Sequence, residues 1–248
     1  MKTEKPGLDI DFHNHLLFGM DDGAKDVATS LSMLQILKEQ GISRVYATPH
    51  FYLFREAGEV FLARRAQQMR LLLGEESGPE LPQVLSGAEV CICRDLAECA
   101  CLPEMCYAGT NLILLEIPYT GYQDWMTEEI CNVCYRYGLR PVLAHLDRYV
   151  DRLSDRQLED LLSLDGVVVQ LNNVSLSHWA GIRFAADLFS AGYDLFFGSD
   201  AHNLITRRPD FDTANRALFK KLKSSGMAEL IARQARLLDG AQPAKKTL

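Results

Sequence analysis

The chain has 248 residues, 48% of them hydrophobic, which is enough for one large core, and α/β barrels reach this length as single domains. A formal charge of −7, with acids spread along the chain, repels nucleic acid. No run approaches the ~20 apolar residues that a membrane span needs, and the polar start over 1–7 lacks the apolar stretch of a signal peptide, so a cytoplasmic protein with no membrane insertion is expected.

In chain order, short apolar or β-branched runs alternate with longer segments of helical period, the pattern of repeated βα units on a parallel sheet. A strand over 8–12 runs into Asp11-Phe12-His13-Asn14-His15, with Asp21-Asp22-Gly23 behind it. The period of two in a strand puts His13 and His15 on one face, ready to act as paired ligands. A helix over 27–40 follows, then a strand over 44–48 that ends in Thr48-Pro49-His50, then a helix over 60–73. A third strand, 83–85, leads to Gly87-Ala88-Glu89, and a fourth, 111–116, ends at Glu116. After a helix over 125–137, the fifth strand, 141–144, delivers His145, Asp147 and Arg148. Helices over 155–164 and 181–190 flank a sixth strand, 167–171, and the seventh, 194–197, ends in Gly198-Ser199-Asp200-Ala201-His202. Gly41, Gly74, Gly138 and Gly192 suit helix C-terminal caps. A last helical segment over 211–238 leads to 239–248, whose Gly, Pro and Lys content predicts a frayed tail on a single domain spanning 1–248.

Nearly every predicted strand therefore runs directly into a histidine or a carboxylate, and in a parallel sheet those positions share one end. An isolated histidine there is usually a hydrogen-bonded polar residue, an isolated Glu89 or Glu116 a cap or ion-pair member, and Asp21-Asp22 alone a turn. Five of the six histidines follow the pattern, however, and only His178 lies outside it. Burying several carboxylates together without cations is costly, so convergence favours metal. Imidazole and carboxylate donors without thiolates suit Mn²⁺, Fe²⁺ or Zn²⁺, and the donors are too many for one ion, which implies two or three. Such a cluster is suited to phosphoester hydrolysis. Arg148 and Arg207 stand just beyond two of the clusters, where a guanidinium can clamp phosphate oxygens; the bland alternative is a surface ion pair.

With these motifs in this order, the chain resembles the polymerase-and-histidinol-phosphatase (PHP) superfamily, and within it the bacterial capsule-locus tyrosine phosphatases of the CpsB and YwqE type. The resemblance spans nearly the whole chain. It implies a distorted seven-stranded (β/α)7 TIM-like barrel and two or three divalent ions, Mn²⁺ foremost, with Fe²⁺ or Zn²⁺ as alternatives. It also implies one ion on His13, His15, Glu89 and Asp200, a second sharing Glu89 with Glu116 and His145, and a third on Asp22, His50 and His202. The implied activity is hydrolysis of phosphotyrosine on a cognate tyrosine kinase through metal-activated water, linked to capsular and exopolysaccharide synthesis. Arg148 matches the family's phosphate-binding arginine. Arg207 matches a second by position, although Arg208 stands beside it where the family usually has one arginine before proline.

Other readings compete at particular residues. A PHP-type enzyme could instead cleave a small monoester such as histidinol phosphate, or a phosphodiester. A binding protein could keep the metals and recognise phosphorylated partners without turnover. Cys134 and Arg140 match the C-x5-R spacing of cysteine-dependent tyrosine phosphatases, but the cysteine falls inside a predicted helix and the arginine before a predicted strand, the reverse of what that loop needs. Seven cysteines fit reduced thiols better than a disulfide framework. Phe51, Tyr52 and Phe54 occupy a loop often more basic in the family; the three rings either cradle an aromatic phosphoester or pack, and packing is the favoured expectation.

Overall fold

A computed structural model describes residues 6–75 and 81–240, so most of the predicted tail lies outside the described residues. The strands are β1 (Ile10–Asn14), β2 (Arg44–Ala47), β3 (His50–Phe51), β4 (Gln83–Ser86), β5 (Glu89–Cys91), β6 (Leu112–Glu116), β7 (Arg140–Leu143), β8 (Val168–Asn172) and β9 (Asp194–Gly198). The helices are α1 (Val27–Glu39), α2 (Gly58–Glu75), α3 (Trp125–Tyr137), α4 (Asp155–Leu162), α5 (Trp179–Ser190) and α6 (Asp212–Gly240). All strand pairings are parallel, in two sheets ordered β1-β2-β4 and β3-β5-β6-β7-β8-β9.

The two sheets are parts of one ring. β2 and β3 are separated only by Thr48-Pro49, where proline has no N–H for the ladder, and β4 and β5 only by Gly87-Ala88. Each pair is a bent strand that begins in one sheet and ends in the other. On the far side, the N–H of Asp200 donates to the His13 carbonyl (2.7 Å) and that of His15 to the Ala201 carbonyl (2.9 Å), tying the end of β9 to β1. Counted this way there are seven strand positions, each near a predicted strand.

One face of the strands lines the interior, with Ile10, Phe12, Tyr46, Leu112, Leu114, Val142, Val168 and Phe196 in a single buried cluster. Phe12 stacks on Phe196 at 3.7 Å between centroids and meets Tyr107 edge-on, while the Tyr107 hydroxyl donates to the Phe12 carbonyl (3.0 Å). These rings form a dry plug one residue before His13. The other face, including Val45, Ile113, Leu115, Val169 and Phe197, packs under helices through Met33, Leu37, Ile130 and Leu230.

Local chemistry sets the helix ends. Asp26 caps α1 by accepting from the Thr29 N–H (2.8 Å), and Ser154 with Gln157 forms a reciprocal capping box on α4. Gly138 ends α3 at φ +65°, as a left-handed cap should. Gly74 does not act this way: α2 runs through it to Glu75, because glycine in mid-helix costs only about 1 kcal/mol. The last predicted helix is also two segments, broken at Lys223, whose φ is +62°.

Candidate metal centre

The predicted ligands converge at the C-terminal ends of the strands. From β1, His13 and His15 are fully buried, and their Nε2 atoms lie 3.2 Å apart. Glu89, at the start of β5, sits between them: Oε2 is 3.1 Å from His13 Nε2, 3.2 Å from His15 Nε2 and 3.0 Å from His50 Nδ1. Its other oxygen is 2.8 Å from His145 Nε2, which is also 3.5 Å from Glu116. Asp200 approaches His15 at 3.4 Å and His202 at 3.6 Å. Asp22 is the outlying member, with its side chain 67% exposed, 3.5 Å from His202 and 3.9 Å from His50.

Three tight groupings emerge: His13 with His15 and Asp200, His15 with His50 and His202, and His50 with Glu89 and Glu116. The first lies within one of the sets implied by the resemblance, and the other two each add one residue from another set, since His15 also faces His50 and His202, and His50 faces Glu89 and Glu116 as well as the Asp22 side. His178 occupies the N-cap position of α5, makes no capping hydrogen bond with its side chain, and is in none of the three groupings.

The imidazoles are aimed by residues behind them. His15 Nδ1 lies 2.7 Å from Asp21, His13 Nδ1 3.0 Å from the Gln170 side-chain oxygen, and His202 Nδ1 3.0 Å from the Asp200 carbonyl. Each of these oxygens accepts from an Nδ1–H, which leaves the Nε2 lone pair facing the cluster. Gln170 also accepts the His145 N–H (2.6 Å) and donates to Asn172, which donates to Asp200 (2.8 Å). Asp11 accepts from Ser199 through backbone and hydroxyl, at 2.9 and 2.6 Å, and so holds the end of β9 against β1. Sequence reasoning assigned no role to Asp11, Gln170 or Asn172. The signal was present in β8, where a hydrophobic run is interrupted by two amides at alternate positions.

His145 and Asp200 both hold positive φ, +32° and +50°, a conformation that costs non-glycine residues on the order of 1–3 kcal/mol and gathers at functional sites. Burial opposes charge on Glu89, but the His13 and His50 imidazoles hold its carboxyl well below the usual carboxylate range. Burial likewise opposes His145⁺, yet hydrogen bonds to Glu116 and Glu89 raise it to about 9. Burial, with His15 beside it, drives His202 down to about 3.

The donor set fits divalent cations. Close as Glu89 Oε2 lies to its imidazole neighbours, Glu89 Oε2, His50 Nδ1 and His202 Nε2 are buried and make no well-aligned hydrogen bond among the described residues. Buried polar atoms are rarely left this way, and a cation accepts such lone pairs directly. In each of the three groupings the donor atoms lie within 4.8 Å of one another, close to the separation of about 4 Å that two ligands can reach across one ion at 2.0–2.2 Å.

Two guanidiniums face the cluster. Arg148 contacts Asp200 Oδ2, and Arg207 contacts Asp200 Oδ1 at 2.8 Å and Asp22 at 3.8 Å. The Asn203 side chain accepts three successive N–H groups, from Ile205 to Arg207, and so shapes the loop that carries Arg207, while Arg208 is exposed. Cys134 lies inside α3 and Arg140 opens β7, so the C-x5-R match has no phosphate loop around it. Burial pushes the Cys134 thiol up to about 12, which keeps it protonated and a poor nucleophile. The seven cysteines are all free thiols.

The family model for capsular polysaccharide synthesis, CpsB/CapC, matches residues 9–238. Tyrosine-protein phosphatase YwqE of Bacillus subtilis is 30% identical over 234 residues, 92% of this chain and 91% of that protein. Tyrosine-protein phosphatase CpsB of Streptococcus pneumoniae is 28% identical over 235 residues, covering 89% and 94%. A solved chain from the crystal structures of YwqE and CpsB, described as unique metal-dependent tyrosine phosphatases, superposes with a TM-score of 0.72 at 26% identity, over 95% of this chain and 99% of that one.

Proposed function

The chain belongs to the CpsB/CapC family of capsular polysaccharide synthesis, and on that premise we propose that it is a metal-dependent protein tyrosine phosphatase. One observation carries this reading: five histidines and three carboxylates from six strand positions meet at one end of the ring, with buried donor atoms that no well-aligned hydrogen bond uses. His13, His15, His50, His145, His202, Glu89, Glu116 and Asp200 hold two or three divalent ions, with Asp22 closing the outer side. Mn²⁺ is the proposed resident, since mixed imidazole and carboxylate donors without thiolates suit it. When bound, the ions supply Lewis acidity toward phosphate oxygens and a lowered pKa for water.

The chain's own residues do the rest. Asp21, Gln170 and the Asp200 carbonyl fix the imidazole tautomers. Arg148 and Arg207 bind the non-bridging phosphate oxygens and stabilise the charge that grows on them in the transition state. The physiological substrate in this reading is a phosphotyrosine protein, a cognate tyrosine kinase, and the setting is the cytoplasm. Among the described residues no helix is long and apolar enough to cross a membrane.

The test is a substrate panel on Mn²⁺-loaded protein, comparing phosphotyrosine peptides, histidinol phosphate and a phosphodiester, with Cys134→Ser and a chelator as controls. Phosphotyrosine should turn over fastest, chelation should abolish activity, and Cys134→Ser should retain it. Preference for histidinol phosphate or the diester, or loss of activity in a folded Cys134→Ser protein, would overturn the reading.

A further inference from the structure

A groove of about 440 Å³ opens from the Glu116 side of the cluster, whereas Arg148 and Arg207 approach from the Asp200 side. That volume lies within the range, roughly 300–1,000 Å³, in which proteins enclose ligands. Aromatic rings from two loops line it. Tyr52 stacks on the cluster residue His50 (5.3 Å between centroids, 28° between planes) and meets Phe54 at 5.6 Å, so the aromatic wall is continuous with the metal centre. Tyr119 and Trp125 line the groove as well. Of Phe51, Tyr52 and Phe54, only Phe51, at the end of β3, is committed to the core, fully buried against Phe61, while Phe54 is 68% and Tyr119 94% exposed. Packing accounts for Phe51 and not for Phe54 or Tyr119.

The groove also carries two cations. The Arg55 guanidinium lies 4.3 Å above the Tyr52 ring and that of Arg94 4.2 Å above Trp125. Among the described residues neither makes an ion pair, unlike Arg64, Arg136, Arg148, Arg207 and Arg233. A guanidinium held over a ring and free of an ion pair keeps N–H donors available to a carboxylate. Charge complementarity then selects the occupant: in a chain of net charge −7, unpaired, exposed guanidiniums held over half-buried rings suit an acidic, partly apolar polypeptide. Small phosphate monoesters would have no use for them.

We propose that this groove binds the polypeptide flanking the phosphotyrosine, and that Arg55 and Arg94 select substrates with an acidic residue beside it. The inference rests on the tyrosine phosphatase reading above and extends it to specificity. Three phosphotyrosine peptides with flanking Asp, Ala or Lys, together with non-hydrolysable phosphonate versions, give kcat/KM and, by fluorescence anisotropy, Kd. The wild type should favour the Asp peptide over the Lys peptide by about tenfold, mostly in KM and Kd, the worth of one or two partly exposed charge-assisted contacts. Arg94→Gln and Arg55→Ala should each lower the ratio of Asp-peptide to p-nitrophenyl phosphate turnover about threefold, and Arg94→Glu should reverse the Asp-over-Lys preference. Equal affinity and turnover for all three peptides, or an unaltered preference in Arg94→Glu, would overturn the groove's role alone. Turnover of p-nitrophenyl phosphate with none of any phosphotyrosine peptide would overturn the tyrosine phosphatase reading along with it.

Discussion

At the scale of single residues, the proposed ligands and the proposed phosphate-binding groups separate by what their loss removes. Arg148 and Arg207 both contact Asp200 but offer no lone pair to a cation. Arg148→Ala should therefore keep its metals and lose on the order of a hundredfold in kcat/KM, the usual worth of a preorganised charge aimed at a developing oxyanion. Arg207→Ala should behave likewise, while Arg208→Ala should not differ from wild type. Metal content by elemental analysis, beside kcat/KM on a phosphotyrosine peptide, decides the matter; wild-type turnover by Arg148→Ala would reduce that side chain to a surface charge. The choice between Arg207 and Arg208 was not legible in two adjacent arginines. The Asn203-capped loop brings Arg207 to Asp200, and this placement is the basis for proposing Arg207.

Among the elements, the contact between β1 and β9 positions the site most directly. A Cβ added to Gly198 would lie 2.4 Å from His13 Cβ and 2.9 Å from the His13 backbone nitrogen, so the strands reach their spacing only because position 198 has no side chain. Gly198→Ala should cost about 1–3 kcal/mol through overpacking and should also lower metal content, because the group pushed aside is a cluster histidine. Denaturant midpoint and bound metal check this, and a variant with wild-type values of both would refute it. The need for glycine there was not readable from Phe197-Gly198-Ser199, which looks like an ordinary strand end. Gly74 shows the converse: it looks like a cap, but α2 continues through it. A glycine's local preference is worth about 1 kcal/mol, and tertiary packing decides which glycines use it.

For the molecule as a whole, the cluster ties together strands from both ends of the chain, so cations bound there should stabilise the native state alone. At a free concentration a hundredfold above Kd, that linkage contributes about 2.7 kcal/mol, or about 5–10 °C in Tm for a domain of this size. Mn²⁺ should raise the Tm and a chelator should return it; a Tm that ignores both would argue against a metal centre in the ring. The alternation of strand and helix, and the fall of histidines and acids at strand ends, were set by the sequence by itself, because periodicity and chain direction are local properties. Two strands nonetheless proved to be bent at Thr48-Pro49 and Gly87-Ala88, passing from one sheet to the other. Which donors meet was decided only by the tertiary structure: His50 facing Glu89 and Glu116, Asp21 behind His15, Gln170 joining His13 to His145. Strand period assigns a side chain to a face, but the distance between residues as far apart as His13 and Asp200 is set by how the ring closes, and that depends on the packing of the whole chain.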